Sequence, residues 1–281
     1  MEFYLHNGKI VEETNFNPQK YWFEAPLHLK SAMWFAHGEI PFFDEHIRLI
    51  NEQMDLLDCN YLIENTEKSE LHRQIKRLIN KNKGYMGGWI SLCVILGQKS
   101  CDVVGSVKKH TQRIFPFGQT GNLAVISTER KWSGSPFSKY RFYADWFWRS
   151  EKIRTDGSRY GDVIFCNDKG FVTEALGSNL FCIKGQTLIT PAMETGCISD
   201  LFRNLVLTSA TKLGLTVLES PSLQPTELKN MDEIFTVSEE HGFRWILGLG
   251  IKRFLKNRSE EIHALTENKL WEERETTANR N

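Results

Sequence analysis

Residues 170–203 constrain the fold most strongly, because short β-prone runs alternate there with residues that favour turns. Three runs are rich in β-branched, aromatic or aliphatic residues and are bounded by Gly, Asn or Pro: residues 171–173, 180–184 and 187–190. A Gly-Gln pair at 185–186 predicts a hairpin between the last two runs. Ser199 and Asp200 predict a helix start, since short polar side chains accept hydrogen bonds from first-turn amides. The segment therefore predicts three strands followed by a helix.

Glu174 places a carboxylate in this apolar context, beside Val172 and Leu176. An ionised carboxylate in an apolar strand is costly unless a cation or a strong hydrogen-bond donor faces it. We therefore expect a positive group opposite Glu174. The alternative from spacing alone is a surface strand residue that pairs with an ordinary lysine or arginine.

The segment resembles the signature of the class IV (fold-type IV) pyridoxal-phosphate enzymes, which include branched-chain aminotransferases, D-amino-acid aminotransferases and aminodeoxychorismate lyases. In that family a Thr-Glu pair is followed five residues on by Asn, a hairpin ends in Thr-Pro, and an Arg opens a helix. The matching residues here are Thr173-Glu174, Asn179, Thr190-Pro191 and Arg203. The likeness extends from Gly38 to about Lys252.

The resemblance implies an α+β fold with two domains. Residues 1–117 would form a small N-terminal α/β domain. Residues 118–281 would form a larger C-terminal cofactor-binding domain with a β-barrel-like core flanked by helices, as in D-amino-acid aminotransferase. The sequence agrees with this division, since residues 115–121 (FPFGQTG) interrupt the hydrophobic periodicity and 281 residues suffice for two medium cores.

The resemblance also implies pyridoxal 5'-phosphate as the cofactor and Lys139 as the residue that binds it through a Schiff base. A strand at 123–127 leads into the Lys139 loop, and an aromatic-rich helix at 140–153 follows. Glu174 would face the pyridine nitrogen. The implied cofactor contacts are Arg48, Lys139, Tyr143, Glu174, Ser178, Asn179, Leu201, Phe202, Ser238 and Glu239. From the residues alone, a solvated loop lysine is the better reading of Lys139 and a solvated helix arginine that of Arg48, whereas a cofactor contact and a core position are equally open for Tyr143.

The expected phosphate end departs from the family pattern. The family's Gly-Ile-Thr-Arg is replaced by residues 200–203 (DLFR), which removes a hydroxyl donor and adds a carboxylate. The second phosphate turn contains Glu239 and Glu240. Amides at Leu201 and Phe202 would still offer donors at a helix N-terminus. Acids at these positions would weaken phosphate binding unless their side chains turn away.

The resemblance implies a class IV aminotransferase that exchanges an amino group between a small amino acid and a 2-oxo acid. A lyase similar to aminodeoxychorismate lyase is the first alternative, and Gly242 matches a glycine of such lyases. The altered phosphate turns motivate a second alternative, a degenerate member that binds or regulates without catalysis.

Composition narrows the partners and the location. Lys+Arg and Asp+Glu number 35 each, so no net charge recruits nucleic acid or an anionic membrane. The absence of a long apolar run and the spacing of six cysteines favour a cytoplasmic protein with reduced thiols, and the histidines show no metal-ligand spacing. The resemblance implies a homodimer. An aromatic cluster (Tyr21, Trp22, Phe23, Trp34, Phe35) would form part of that interface or of the small domain's core.

Overall fold

The structure is a computed structural model that describes residues 2–17, 27–97 and 101–278. The chain divides into two compact units, Met1–Phe115 and Pro116–Asn281. The division follows Phe115, whereas the sequence places it after residue 117.

The first unit is one antiparallel sheet with two helices. Its elements are β1 (Phe3–His6), β2 (Lys9–Glu12), β3 (Leu27–Ala36), α1 (Phe43–Leu56), α2 (Asn65–Lys81), β4 (Gly87–Leu96) and β5 (Cys101–His110). The strand order is β2-β1-β5-β4-β3. Trp34 and Phe35 lie in its core at 0% and 1% exposure, so these two members of the aromatic cluster serve the core. Tyr21, Trp22 and Phe23 lie outside the described residues.

The second unit is built on one large mixed sheet. Its elements are β6 (Asn122–Lys131), α3 (Arg141–Thr155), β7 (Asp162–Asn167), β8 (Val172–Ala175), β9 (Asn179–Lys184), β10 (Thr187–Pro191), α4 (Leu201–Lys212), β11 (Thr216–Ser220), β12 (Glu233–Ser238), β13 (Gly242–Leu249), β14 (Lys252–Arg253) and α5 (Asn257–Ala278). The strand order is β11-β10-β9-β12-β13-β6-β7-β8, and β14 pairs with β13.

A tight hairpin links β8, at one end of this order, to the interior strand β9. A bridge between Ala175 and Ser178 closes the hairpin. Gly177 makes the turn with a φ of +67°, a conformation that glycine adopts without steric cost. The sheet thus curls back towards itself, and the predicted two-domain fold with a barrel-like larger domain is confirmed.

The three strands and the helix predicted for residues 170–203 are all present. They are β8, β9, β10 and α4, and Asp200 caps α4 by accepting the amide N–H of Phe202. All six cysteines are free thiols, as predicted. Within the described residues, no helix is long and apolar enough to cross a membrane.

Candidate active site

Glu174 is a buried carboxylate near the end of β8, with 1% of its surface exposed. Its Oε2 accepts hydrogen bonds from the ammonium Nζ of Lys131 at 2.7 Å and from the backbone N–H of Ile198 at 2.9 Å. Its Oε1 accepts from the indole Nε1 of Trp148 at 3.0 Å. A buried carboxylate requires such partners. The expected positive group opposite Glu174 is therefore confirmed, and it is Lys131.

Lys131 reaches the core because β6 runs further than the sequence predicts. The predicted strand ends at residue 127, whereas β6 continues to Lys131, which pairs with Asn167 of β7. The register between these parallel strands shifts between Ile126 and Arg130. The lysine itself is 2% exposed. Sequence reasoning missed Lys131 because the run Thr128-Glu129-Arg130-Lys131 is uniformly polar, which is typical of a solvated strand end.

Trp148 connects the aromatic-rich helix α3 to this carboxylate. The predicted helix at 140–153 corresponds to α3, in which Trp148 is 5% exposed. The guanidinium of Arg141, at the start of α3, lies 5.1 Å from the centre of the Trp148 ring, which is a cation–π distance. Tyr143 is half-buried, and its ring packs against that of Phe147. The helix thus supplies an indole donor to Glu174.

The start of α4 is organised by the carboxylate of Asp200. Its Oδ1 accepts the backbone N–H of Phe202 at 2.8 Å, and its Oδ2 accepts that of Glu239 at 3.4 Å. Glu239 is 3% exposed, and the neighbouring Glu240 forms an ion pair with Arg141. Burial and the nearby charge of Glu239 raise the pKa of Asp200 to about 6, although amide donors and Arg141 oppose the shift. The start of α4 and the turn at Glu239 therefore carry mainly acidic side chains.

Ser178 and Ser238 come together although 60 residues separate them in the sequence. The Ser178 hydroxyl donates to the Ser238 hydroxyl at 3.1 Å, and both residues are fully buried. The guanidinium of Arg244 donates to Ser178 Oγ at 3.2 Å and also pairs with Asp162 at 3.3 Å. Burial raises the pKa of Asp162, while Arg244 lowers it. Since Ser238 adjoins Glu239, the hydroxyl pair lies next to the turn that contacts Asp200.

Asn179 follows Ser178 and is also buried, at 1% exposure. Its strand position pairs with Val237 of β12, the residue before Ser238. Neither its side-chain oxygen nor its side-chain nitrogen has a hydrogen-bond partner within the described chain. The amide of Asn179 is therefore an unsatisfied buried group beside the serine pair.

The side chain of Lys139 does not join the buried groups around Glu174. Lys139 is exposed, and its ammonium lies 5.0 Å from the centre of the Tyr140 ring. Its backbone oxygen accepts the Ser199 amide at 2.8 Å, which fixes the backbone beside the start of α4. Arg48 lies on α1 of the first unit, is 60% exposed and pairs with Glu52. Lys139 thus combines an anchored backbone with a solvent-exposed side chain.

Leu201 and Phe202 occupy the first turn of α4, as predicted from the sequence. Phe202 is fully buried, and Leu201 is half-buried. The Phe202 amide is already bonded to Asp200. One of the two amides expected to bind phosphate is thus engaged by a side chain of the protein itself.

Comparisons with known proteins agree on one family. Residues 31–247 match the family described as amino-transferase class IV. An aminodeoxychorismate lyase of Bacillus subtilis is 22% identical over 74% of each chain. A putative branched-chain-amino-acid aminotransferase of Methanocaldococcus jannaschii is 32% identical over 84 residues, which are 30% of this chain and 29% of that protein. The match thus spans less than a third of the length of the M. jannaschii protein.

Solved structures share the fold. The branched-chain aminotransferase of Thermoproteus uzoniensis with norvaline superposes with a TM-score of 0.80 at 17% identity, covering 96% of this chain and 94% of that one. A branched-chain aminotransferase of Thermobaculum terrenum in its pyridoxal-phosphate form gives the same score, identity and coverage. A putative 4-amino-4-deoxychorismate lyase of Legionella pneumophila gives 0.73 at 17% identity, covering 91% and 95%.

Proposed function

The chain belongs to the class IV aminotransferase family, enzymes whose cofactor is pyridoxal phosphate, and from this premise we propose that it exchanges an amino group between a small amino acid and a 2-oxo acid. The observation that supports the proposal is the buried pair of Glu174 and Lys131, 2.7 Å apart. An acid to hold a protonated ring nitrogen and a primary amine to bind an aldehyde are the two side chains that this chemistry requires.

The residues around Glu174 fit the ring end of the cofactor. Bound pyridoxal phosphate supplies an aldehyde that captures amines and a ring that withdraws electrons from the substrate's α-carbon. Trp148 and the Ile198 amide hold the Glu174 carboxylate in a fixed orientation. Opposite charges about 3 Å apart, at an effective dielectric near 20, attract by about 5 kcal/mol before desolvation is subtracted. Glu174 is thus suited to keep a positive charge on a ring nitrogen.

The residues at the start of α4 do not fit the phosphate end as they are arranged here. Asp200 takes the Phe202 and Glu239 amides, and Glu239 adds a second buried acid. A phosphate dianion at this place would meet like charges and engaged donors.

Lys131 is the amine that we assign to the covalent role, in place of Lys139. It is a buried primary amine within hydrogen-bond distance of Glu174, whereas Lys139 is exposed to solvent. Burial excludes water from the amine. To bind an aldehyde, Lys131 would have to leave Glu174 and give up the proton that it donates there.

Borohydride trapping tests the assignment. The purified protein is incubated with pyridoxal phosphate, reduced with borohydride and mapped by peptide mass spectrometry. We expect label on Lys131, loss of label in Lys131→Ala, and unchanged label in the exposed control Lys139→Ala. Label on Lys139 would transfer the role to that residue. The absence of label from every lysine, together with no transfer to a 2-oxo acid, would refute the function.

A lyase is the second candidate, because the B. subtilis aminodeoxychorismate lyase matches over 74% of both chains. Gly242, the residue that suggests this reading from the sequence, has a φ of +71°, and a Cβ there would lie 2.4 Å from the Pro116 carbonyl oxygen. The backbone thus requires glycine whichever reaction is catalysed. Release of pyruvate from aminodeoxychorismate without any 2-oxo acid would identify the lyase, and strict dependence on an acceptor would identify the aminotransferase. A homodimer and a cytoplasmic location stay predictions from the resemblance.

A further inference from the structure

We propose that, in the protein without cofactor, charged groups of the protein itself occupy both ends of the cofactor-binding site. The ammonium of Lys131 occupies the ring-nitrogen end, on Glu174, and the carboxylate of Asp200 occupies the phosphate end, at the start of α4. This inference rests on the proposed function, because it takes pyridoxal phosphate as the ligand. It follows that the cofactor binds only by displacing two internal contacts, and that its phosphate group opposes binding.

At the ring end, Lys131 holds the place of a cation. Glu174 has three partners, and two of them, the Trp148 indole and the Ile198 amide, are neutral donors that orient the carboxylate. The third, Lys131 Nζ, is a charged donor at 2.7 Å, as a protonated ring nitrogen would be. Both charged side chains are almost completely buried, so water does not screen the pair. A ring nitrogen that binds Glu174 must therefore replace the ammonium.

At the phosphate end, Asp200 holds the place of an anion. Backbone N–H groups from two separate segments, Phe202 in α4 and Glu239 after β12, converge on its two carboxylate oxygens. Convergent amides at a helix N-terminus are a common way to bind an oxyanion. Here the oxyanion is a side chain that starts the helix. An external phosphate would find these donors engaged.

The charges around Asp200 add to this exclusion. Glu239 is buried beside it, and both Glu239 and Arg141 interact electrostatically with Asp200. The positive charge of Arg141 is shared with Glu240, its ion-pair partner. Replacing Asp200 by asparagine removes one negative charge and preserves a good helix cap. This variant therefore separates the charge of Asp200 from its structural role.

Pyridoxal and pyridoxal phosphate distinguish the two ends, since they differ in the phosphate group alone. Binding of each is measured by equilibrium dialysis and visible absorbance for the wild type, Asp200→Asn and the control Asp232→Asn. Asp232 is also an acid that accepts a backbone amide, that of Gly185 in the β9–β10 hairpin, but it lies immediately before β12. We expect Asp200→Asn to bind pyridoxal phosphate at least about tenfold more tightly than the wild type and the control. Its affinity for pyridoxal should be unchanged.

The ring end is tested with pyridoxine, which has neither aldehyde nor phosphate. Lys131→Met should bind pyridoxine at least about tenfold more tightly than the wild type or the exposed control Lys139→Met, because Glu174 becomes available to the ring nitrogen. Circular dichroism and urea unfolding establish that each variant is folded.

Three results would overturn the inference. Equal or weaker binding of pyridoxal phosphate by Asp200→Asn would show that Asp200 is an ordinary helix cap. Equal or weaker binding of pyridoxine by Lys131→Met would show that Lys131 does not block the ring-nitrogen end. In both cases the proposed function survives if the wild type binds pyridoxal phosphate. Failure of every folded variant to bind any of the three compounds would remove the inference and the proposed function together.

Discussion

Replacing Lys131 by methionine tests whether the Lys131–Glu174 pair is as tightly coupled as its geometry indicates. The two side chains are 2% and 1% exposed and 2.7 Å apart. Methionine has a similar length and fills the space, so the main loss is the charge opposite Glu174. We expect the free energy of unfolding to fall.

The size of the fall follows from what remains around Glu174. Breaking a buried ion pair by removing one partner costs about 3–5 kcal/mol, because the other charge stays buried without compensation. Trp148 and the Ile198 amide still donate to Glu174 in the variant, which places the loss at the lower end of this range. We therefore expect about 3 kcal/mol. The double variant Lys131→Met, Glu174→Gln removes both charges and should recover most of this loss.

Urea unfolding followed by tryptophan fluorescence measures these differences. Lys139→Met is the matched control, because an exposed lysine should change stability by less than about 0.5 kcal/mol. If Lys131→Met and Lys139→Met lose the same small amount, the pair is not coupled in solution. If the double variant is less stable than Lys131→Met, the argument from an uncompensated charge is wrong.

Three further changes address other parts of the second unit. Burial raises the pKa of Asp200 to about 6, so the folded protein binds a proton at this carboxylate more readily than the unfolded chain does. Ionisation of Asp200 therefore destabilises the folded protein, and this effect is complete above about pH 6. Asp200→Asn should thus gain about 2–3 kcal/mol in urea unfolding at pH 7.5 and far less near pH 4; an equal gain at both pH values would contradict this. Arg203 is 4% exposed, and Arg203→Met removes the hydrogen bonds that its guanidinium donates. The change should cost about 3 kcal/mol in the same assay, and a loss below about 0.5 kcal/mol would show that these hydrogen bonds add little stability. Gly242→Ala combines a positive φ with a clash against the Pro116 oxygen and should cost at least about 2 kcal/mol in thermal unfolding. Gly250→Ala, with a φ of +60° and open space, is its control and should lose less; equal losses would remove the clash from the explanation.

Local patterns predicted the part of the site that depends on local chemistry. Turn glycines and β-branched residues placed β8, β9 and β10, and the apolar neighbours of Glu174 predicted its burial and its need for a cation. Asp200 was predicted to start α4 because a side-chain oxygen two residues before an amide is a local relation.

The other contacts of the site depend on how distant segments pair in the folded sheet, which local sequence patterns do not show. Lys131 becomes buried through the pairing of β6 with β7, strands joined by a helix, and no spacing within residues 122–131 indicates it. The backbone of Lys139 is bound to Ser199, which lies 60 positions further along the chain, and its side chain is exposed. The amide of Glu239 meets Asp200 through a similar tertiary approach. Each contact joins segments whose proximity is a property of the folded sheet.

The pairing of β6 with β7 is irregular between Ile126 and Arg130, just before Lys131. Successive side chains of a strand point to opposite faces, so deletion of a single residue there would send the ammonium of Lys131 out of the core and bring its neighbour inward. The identity of the inward-facing side chain would change although no residue near Glu174 had been substituted. Small insertions and deletions in β6 would therefore change which side chain faces Glu174, and with it the chemistry of the site.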